Sequence, residues 1–299
     1  MGTVESSMQG SDSLYAERLT RYATMHGQLS SISDQRLTQI VTAATPHGTG
    51  IGGRSAELTV GGTRVFIKRV PMTDWELQPG HEGSSANIFD LPTYYQYGLG
   101  SSGFGAWREL AAHALTTSWV LDKEYVGFPL MYHWRVLPDT APDRFTYRLG
   151  GLEGAVAHWD SSPAVRHRLE AISQSASSLV LFLEYVPHTL TNWLRNHRND
   201  TGIYLWAAKE LAHGTGFMSS REFIHFDAHF SNILTDGRQI YFADLGLALS
   251  CEFALSAQET DFLARHRVYD HCYTGSHLLS HYLTGKGYNK AEYEAVLND

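Results

Sequence analysis

The sequence predicts an α+β fold: a strand-rich first part followed by a shorter, mainly helical part. Three observations carry this. Residues 56–60 and 64–68 alternate apolar and polar side chains on either side of Gly61-Gly62, as the arms of a hairpin do. Residues 107–121 repeat apolar positions (Leu110, Ala111, Ala114, Leu115) at helical spacing, and 203–219 form a second long apolar helix. Residues 239–243, after an Asp236-Gly237 turn, read as the second arm of another hairpin. At 299 residues, with 43% hydrophobic and 18% charged content, the chain suits a soluble globular protein. It has room for one large domain or for two lobes sharing a cleft.

Along the chain, residues 1–13 are small and polar and read as a frayed end. Helices are expected over 13–30, with Leu14, Leu19, Tyr22 and Met25 on one side, and over 32–40, capped near Ser33 or Asp34. Ile40-Val41 and Ala43-Ala44 read as strand and run into a glycine loop in which Gly48, Gly50 and Gly53 match G-x-G-x-x-G. A dinucleotide-binding reading of that motif requires a helix directly after it, whereas a strand and a hairpin follow. A glycine loop between antiparallel strands can instead fold over phosphates, because no side chain stands in the way. Lys68 ends the alternating run 64–68. Prolines and glycines break residues 71–105, which read as an insertion containing a second glycine motif at Gly98, Gly100 and Gly103. The first motif is preferred for phosphates, because the second lacks a clear preceding strand. Glu109 lies in the first turns of the 107–121 helix. Val126 to Pro129 begins another strand region, 138–178 is polar and partly helical (163–173), and the apolar run 179–186 reads as a buried strand ending at Pro187. Helices follow at 190–196 and 203–219. In the tail, helices are expected over 256–269 and 277–283, with Ser256 and Glu259 spaced as a capping box.

Charge and composition narrow the function. A net charge of −8 argues against broad electrostatic binding of nucleic acid. Cys251 and Cys272 are too few for a disulfide framework and point to reduced thiols in the cytoplasm. The first residues lack the basic and apolar segments of a signal peptide, Met1-Gly2 sits in an ordinary tail rather than a lipidation signal, and no run is long enough to span a membrane. The tail histidines His266, His271, His277 and His281 do not form H-E-x-x-H or another zinc-ligand pattern.

The chemistry concentrates in residues 223–250. Asp227 and Asn232 lie in a loop before the hairpin, and Asp244 follows its second arm. Phosphoryl transfer with Mg²⁺ needs such a set: one carboxylate to orient the attacking hydroxyl and take its proton, and a carboxamide with a second carboxylate to hold metal on the phosphates.

His225, Asp227 and Asn232 spell H-x-D-x-x-x-x-N, and Asp244-Leu245-Gly246 spells D-x-G. Together with the glycine loop, V-F-I-K at Lys68 and the helix Glu109, their order over residues 40–250 resembles the protein-kinase-like superfamily, which includes aminoglycoside phosphotransferases and small atypical kinases. The resemblance implies a bilobal kinase-like fold. A β-rich N-terminal lobe spans residues 1–186 with the insertion looped out, and a short, mainly helical C-terminal lobe spans 187–299. It implies ATP and Mg²⁺ as cofactors, held by Gly48, Gly50 and Gly53, by Lys68 positioned by Glu109, by the linker residues Glu184 and Val186, and by Asn232 and Asp244 as metal ligands. Asp227 becomes the catalytic base acting on a hydroxyl acceptor, either a protein Ser/Thr or a small molecule. Phe226 stands where regulated protein kinases carry Arg, Leu245 replaces Phe in D-F-G, and no A-P-E follows. Only 53 residues follow Gly246, which weighs against a large peptide-binding lower lobe. His229 is similar to the H-x-D-x-H loops of small-molecule phosphotransferases. The departures leave a pseudokinase, a nucleotide-binding or interaction module, as the alternative.

Overall fold

A computed structural model describes residues 2–50, 53–98, 100–143 and 145–288. The chain opens with helices α1 (Gly2–Ser30) and α2 (Asp34–Ala43). Helix α1 begins well before residue 13, so the frayed start is not observed; no proline interrupts the stretch. Ser33 caps α2 by accepting from the Arg36 N–H. Ile40, Val41 and Ala43 belong to α2 rather than to a strand. Val41 lies on the same face as Leu37, and both are buried, so helical packing overrides the strand preference of the β-branched pair.

Strands β1 (Thr45–Gly50), β2 (Gly53–Val60) and β3 (Thr63–Met72) follow as a meander. Helix α3 (Ala106–Leu121) comes next, then β4 (Met131–Pro138). Val126 to Pro129 is loop, and the strand begins at Met131. Short helix α4 (Gly151–His158) was not expected from sequence; α5 (Pro163–Ser173) was. Strand β5 (Ser177–Glu184) then completes one five-stranded antiparallel sheet of order β1-β2-β3-β5-β4. Beyond it lie β6 (His188–Thr189), α6 (Leu190–Asn196), α7 (Thr201–Ser220), β7 (Phe223–Ile224), β8 (Ile233–Thr235), β9 (Ile240–Phe242) and β10 (Leu249–Ser250). The chain continues with α8 (Ala257–Arg265) and α9 (Tyr269–Gly285), and the Ser256–Glu259 capping box is present. β8 and β9 form the expected hairpin, joined by β6.

The mixed α+β class is therefore observed. Its strand pattern explains where the lysine points. β5 is apolar on both faces: Leu179, Leu181 and Leu183 pack with Val70, Met72, Ala106 and Trp107, while Val180 and Phe182 join a larger core that includes Met25 and Leu29 of α1. Side chains alternate along a strand. On β3, Lys68 thus shares a face with Phe66, Val70 and Met72, the face that α3 covers.

Residues 73–98 and 100–105 do not loop out. Phe89, Leu91, Tyr95 and Phe104 build a separate core with Val156, Trp159, Val165 and Leu169, and that burial keeps the segment on the body of the protein. From this segment Glu76 caps α3, accepting from the Ala106 N–H (2.6 Å) while paired with Arg168 (2.8 Å). Among the described residues no helix is long and apolar enough to cross a membrane. Cys251 and Cys272 are free and exposed.

Candidate functional site

A cavity of about 510 Å³ opens between the sheet and the loops that follow it. Gly48 and Gly53 line it from the β1–β2 hairpin, with Lys68, Glu184, Val186, Asn232 and Asp244. Gly50 pairs with Gly53 across that hairpin, and the tip residues Ile51 and Gly52 lie outside the described residues. Gly53 has φ 136°, and a Cβ there would overlap the Arg69 carbonyl oxygen, so the backbone approach at this turn requires glycine.

Lys68 joins the two halves of the site. Its ammonium lies 2.5 Å from Glu109 Oε1 and 2.6 Å from Asp244 Oδ1. Glu109 is buried at 3% exposure, so the solvent-facing position common for helix glutamates does not apply. Burial opposes the lysine's charge, but Asp244 and Glu109 outweigh it and raise its pKa. Enclosure likewise opposes ionisation of Asp244, and the Lys68 ammonium reverses the sign, holding its pKa at about 2. The Asp244 side chain nevertheless keeps 45% of its surface open to the cavity.

The loop between β7 and β8 holds the second carboxylate. Asn232 Nδ2 donates to Asp227 Oδ2 (2.9 Å) and to the Asp227 carbonyl (3.1 Å). His229 Nε2 stands 3.8 Å from Asp227 Oδ1. Burial pushes Asp227 up to about 6; His229 and Lys68 pull it down, and Asp244 pushes it up. His225 is buried, and burial lowers its pKa to about 4. Its Nε2–H donates to the Ala243 carbonyl (2.9 Å) and its Nδ1 accepts from the Asp227 N–H (3.3 Å), a pattern that only the neutral ring can make.

Sequence reasoning missed the support beneath this loop. Asp270 of α9 is buried and accepts from the His225 N–H (2.6 Å) and the Phe226 N–H (3.0 Å). Burial pushes its pKa up to about 7, against those two donors. Phe226 and Asp244 both hold φ 61°, left-handed conformations that cost about 1–3 kcal/mol each and persist only where surrounding structure imposes them. Asp270 carries no local signal in the sequence, being reached only through the fold. Arg18 was missed for the same reason. It pairs with Glu184 at 2.6 Å and donates to the Val126 carbonyl at 2.7 Å and to the Phe128 carbonyl. The Glu184 carboxylate also accepts from the Leu130 N–H (3.1 Å), and the Glu184 N–H donates to the Leu130 carbonyl (2.8 Å).

Asp244 and the Asn232 amide oxygen are hard oxygen donors of the kind Mg²⁺ takes. Among the described residues no group of three or more His, Cys, Asp or Glu side chains is placed to hold a metal. A cation here would draw its remaining ligands from phosphate and water, as Mg²⁺ commonly does. Three of the tail histidines pack against aromatic rings, and His271 Nδ1 meets the Thr215 hydroxyl (3.3 Å). His277 and His281 flank Phe230, and His266 stacks on Phe262. The structure links Glu109, Lys68 and Asp244 in one set and Asn232 with Asp227 in another, the two joined where the Ala243 N–H donates to the Asn232 carbonyl (2.9 Å), with Gly48, Gly53, Glu184 and Val186 around the adjoining cavity. No protein-family model matches the chain, and comparison with curated proteins yields no match.

Proposed function

We propose that the chain is a bilobal kinase-like phosphotransferase that moves the γ-phosphate of ATP to a hydroxyl acceptor. The observation that carries this reading is the linked set Glu109–Lys68–Asp244 at the cavity wall, with Asn232 and Asp227 beside it. Positioning and charge stabilisation are nearly all that phosphoryl transfer asks of a protein, and this set supplies both. In this reading ATP lies in the cavity, its adenine along the linker backbone at Glu184 and Val186 and its phosphates under the hairpin of Gly48, Gly50 and Gly53. Lys68 meets the phosphates, steadied by Glu109. Asn232 and Asp244 would hold Mg²⁺, which would supply charge neutralisation. Asp227 orients the acceptor hydroxyl and takes its proton, and the pull of burial toward about 6 makes it a better base than an ordinary carboxylate.

Labelled ATP tests this directly. The purified chain with Mg²⁺ is expected to bind ATP, read as a thermal shift, and to transfer the label. Asp227→Asn is expected to abolish transfer and keep the shift, because the carboxylate acts on the acceptor rather than on the nucleotide. Turnover near the wild-type rate in that variant would remove Asp227 from the mechanism. A nucleotide shift with no turnover in the wild-type chain would favour the binding-module alternative.

A further inference from the structure

We propose that Gly98 forms one wall of the acceptor site and that the acceptor is a compact alcohol, a small molecule rather than a serine or threonine of a protein. The inference rests on the phosphotransferase reading above. It starts from the second glycine motif, which the nucleotide cavity leaves unused. Gly98 and Gly103 hold left-handed φ values of 50° and 73°. A Cβ on Gly98 would stand 3.2 Å from Asp227 Oδ1, and one on Gly103 would stand 2.6 Å from the Gly246 carbonyl oxygen. The second motif therefore lies against the catalytic loop and the D-x-G turn.

Asp227 Oδ2 is committed to Asn232, so Oδ1 is the oxygen left for an acceptor. Oδ1 faces Gly98 on one side and His229 on another. In the transfer, the acceptor oxygen bonds to the γ-phosphorus while the bond from that phosphorus to the β–γ bridging oxygen breaks. The electron pair leaves with ADP, and the hydroxyl proton passes to Asp227 Oδ1. The missing side chain at Gly98 leaves the acceptor hydroxyl its space.

A peptide that docks by strand addition needs free backbone groups, and much of the backbone after Asp244 is already paired. The Leu247 carbonyl accepts from Gln96 Nε2, and the Ala254 N–H donates to Ser85 Oγ (2.9 Å). The Tyr97 hydroxyl meets His266 Nε2 at 2.5 Å. Residues 73–98 thus occupy the ground an extended peptide would use, and their own core makes the wall rigid. The Asp227 side chain retains 24% exposure, an opening suited to a compact molecule.

The test uses the full chain, labelled ATP, Mg²⁺ and a heat-treated cell extract separated afterwards into proteins and small molecules. Wild type is expected to place label in the small-molecule fraction. Gly98→Ala is expected to slow that transfer on the order of a hundredfold, the effect of misplacing a reacting group by about 1 Å, with the Mg²⁺-ATP thermal shift intact. Gly100→Ala is the control. Its φ of 89° carries comparable backbone strain, but its Cβ would meet only the Leu149 side chain, and transfer is expected to survive. Should Gly98→Ala unfold, Gly98→Asn tolerates the left-handed backbone while still adding a Cβ, and it is expected to give the same loss. With wild-type transfer established, label arriving mainly in protein or a Gly98 variant as fast as wild type would each overturn the inference. No ATP-induced shift, or a shift with transfer to neither fraction, would instead remove the phosphotransferase reading itself.

Discussion

Lys68 makes two ion pairs at once, and the pairs differ in kind. Glu109 is buried beside it, while Asp244 faces the cavity. In the proposed reaction the glutamate is the partner that would remain when phosphates and a cation arrive, and its effect on transfer would run through the lysine. Lys68→Ala is expected to cut transfer strongly, Glu109→Ala to cut it less, and the double variant to be little worse than Lys68→Ala alone. Losses that multiply in that cycle would mean that Glu109 acts independently. Asp227 supplies a pH signature. As a base it must be ionised, and burial raises its pKa to about 6. Transfer is expected to fall as pH drops through about 6 and to level off above it, and a rate unchanged between pH 5 and 7 would rule out that role.

At the scale of elements, the hairpin of β1 and β2 depends on Gly53. Gly53→Ala adds a Cβ that overlaps the Arg69 carbonyl at a backbone angle L-residues avoid. The hairpin is expected to shift from the cavity, raising the Kd for Mg²⁺-ATP while Asp227 chemistry in the bound state survives; titration calorimetry would check the affinity. The β2–β3 hairpin, α3 and the β8–β9 hairpin were legible because local periodicity and turn residues define them, whereas β1 falls in the stretch read as a glycine loop. Lys68 and Glu109 were paired through the resemblance alone, since periodicity places each on its element but not the one against the other, and the structure sets them 2.5 Å apart. Ile40-Val41 misled because β-branching signals strand, while the burial of Leu37 and Val41 decides for helix. Helix α4 was hidden by Gly151 and Gly154, which lower helix propensity. The Asp270 support and the contact of Gly98 with Asp227 join residues far apart in sequence, and no spacing rule reaches them.

Across the whole molecule, the first helix is tied to the cavity by one guanidinium. Arg18 and Glu184 are both buried, at 7% and 6% exposure. Removing one partner of a buried pair strands the other charge, so Arg18→Ala is expected to cost about 3–5 kcal/mol of stability. Replacing both residues with leucine is expected to recover much of that loss, because the desolvation cost goes with the charges. Denaturant unfolding of the two variants would separate the cases, and equal losses would show that the pair is not the source. The same contact bears on how the protein is made. Its partners lie 166 residues apart, so a ribosome adding about 5–20 residues per second completes Glu184 on the order of ten to thirty seconds after Arg18. For most of that interval α1 also lacks β4, the strand it packs on, so Met25 and Leu29 wait for a core they share with Tyr132, Val180 and Phe182. The N-terminal helix therefore spends much of synthesis without the strand that covers it, and chaperone engagement of the nascent chain should end once β4 and β5 have emerged.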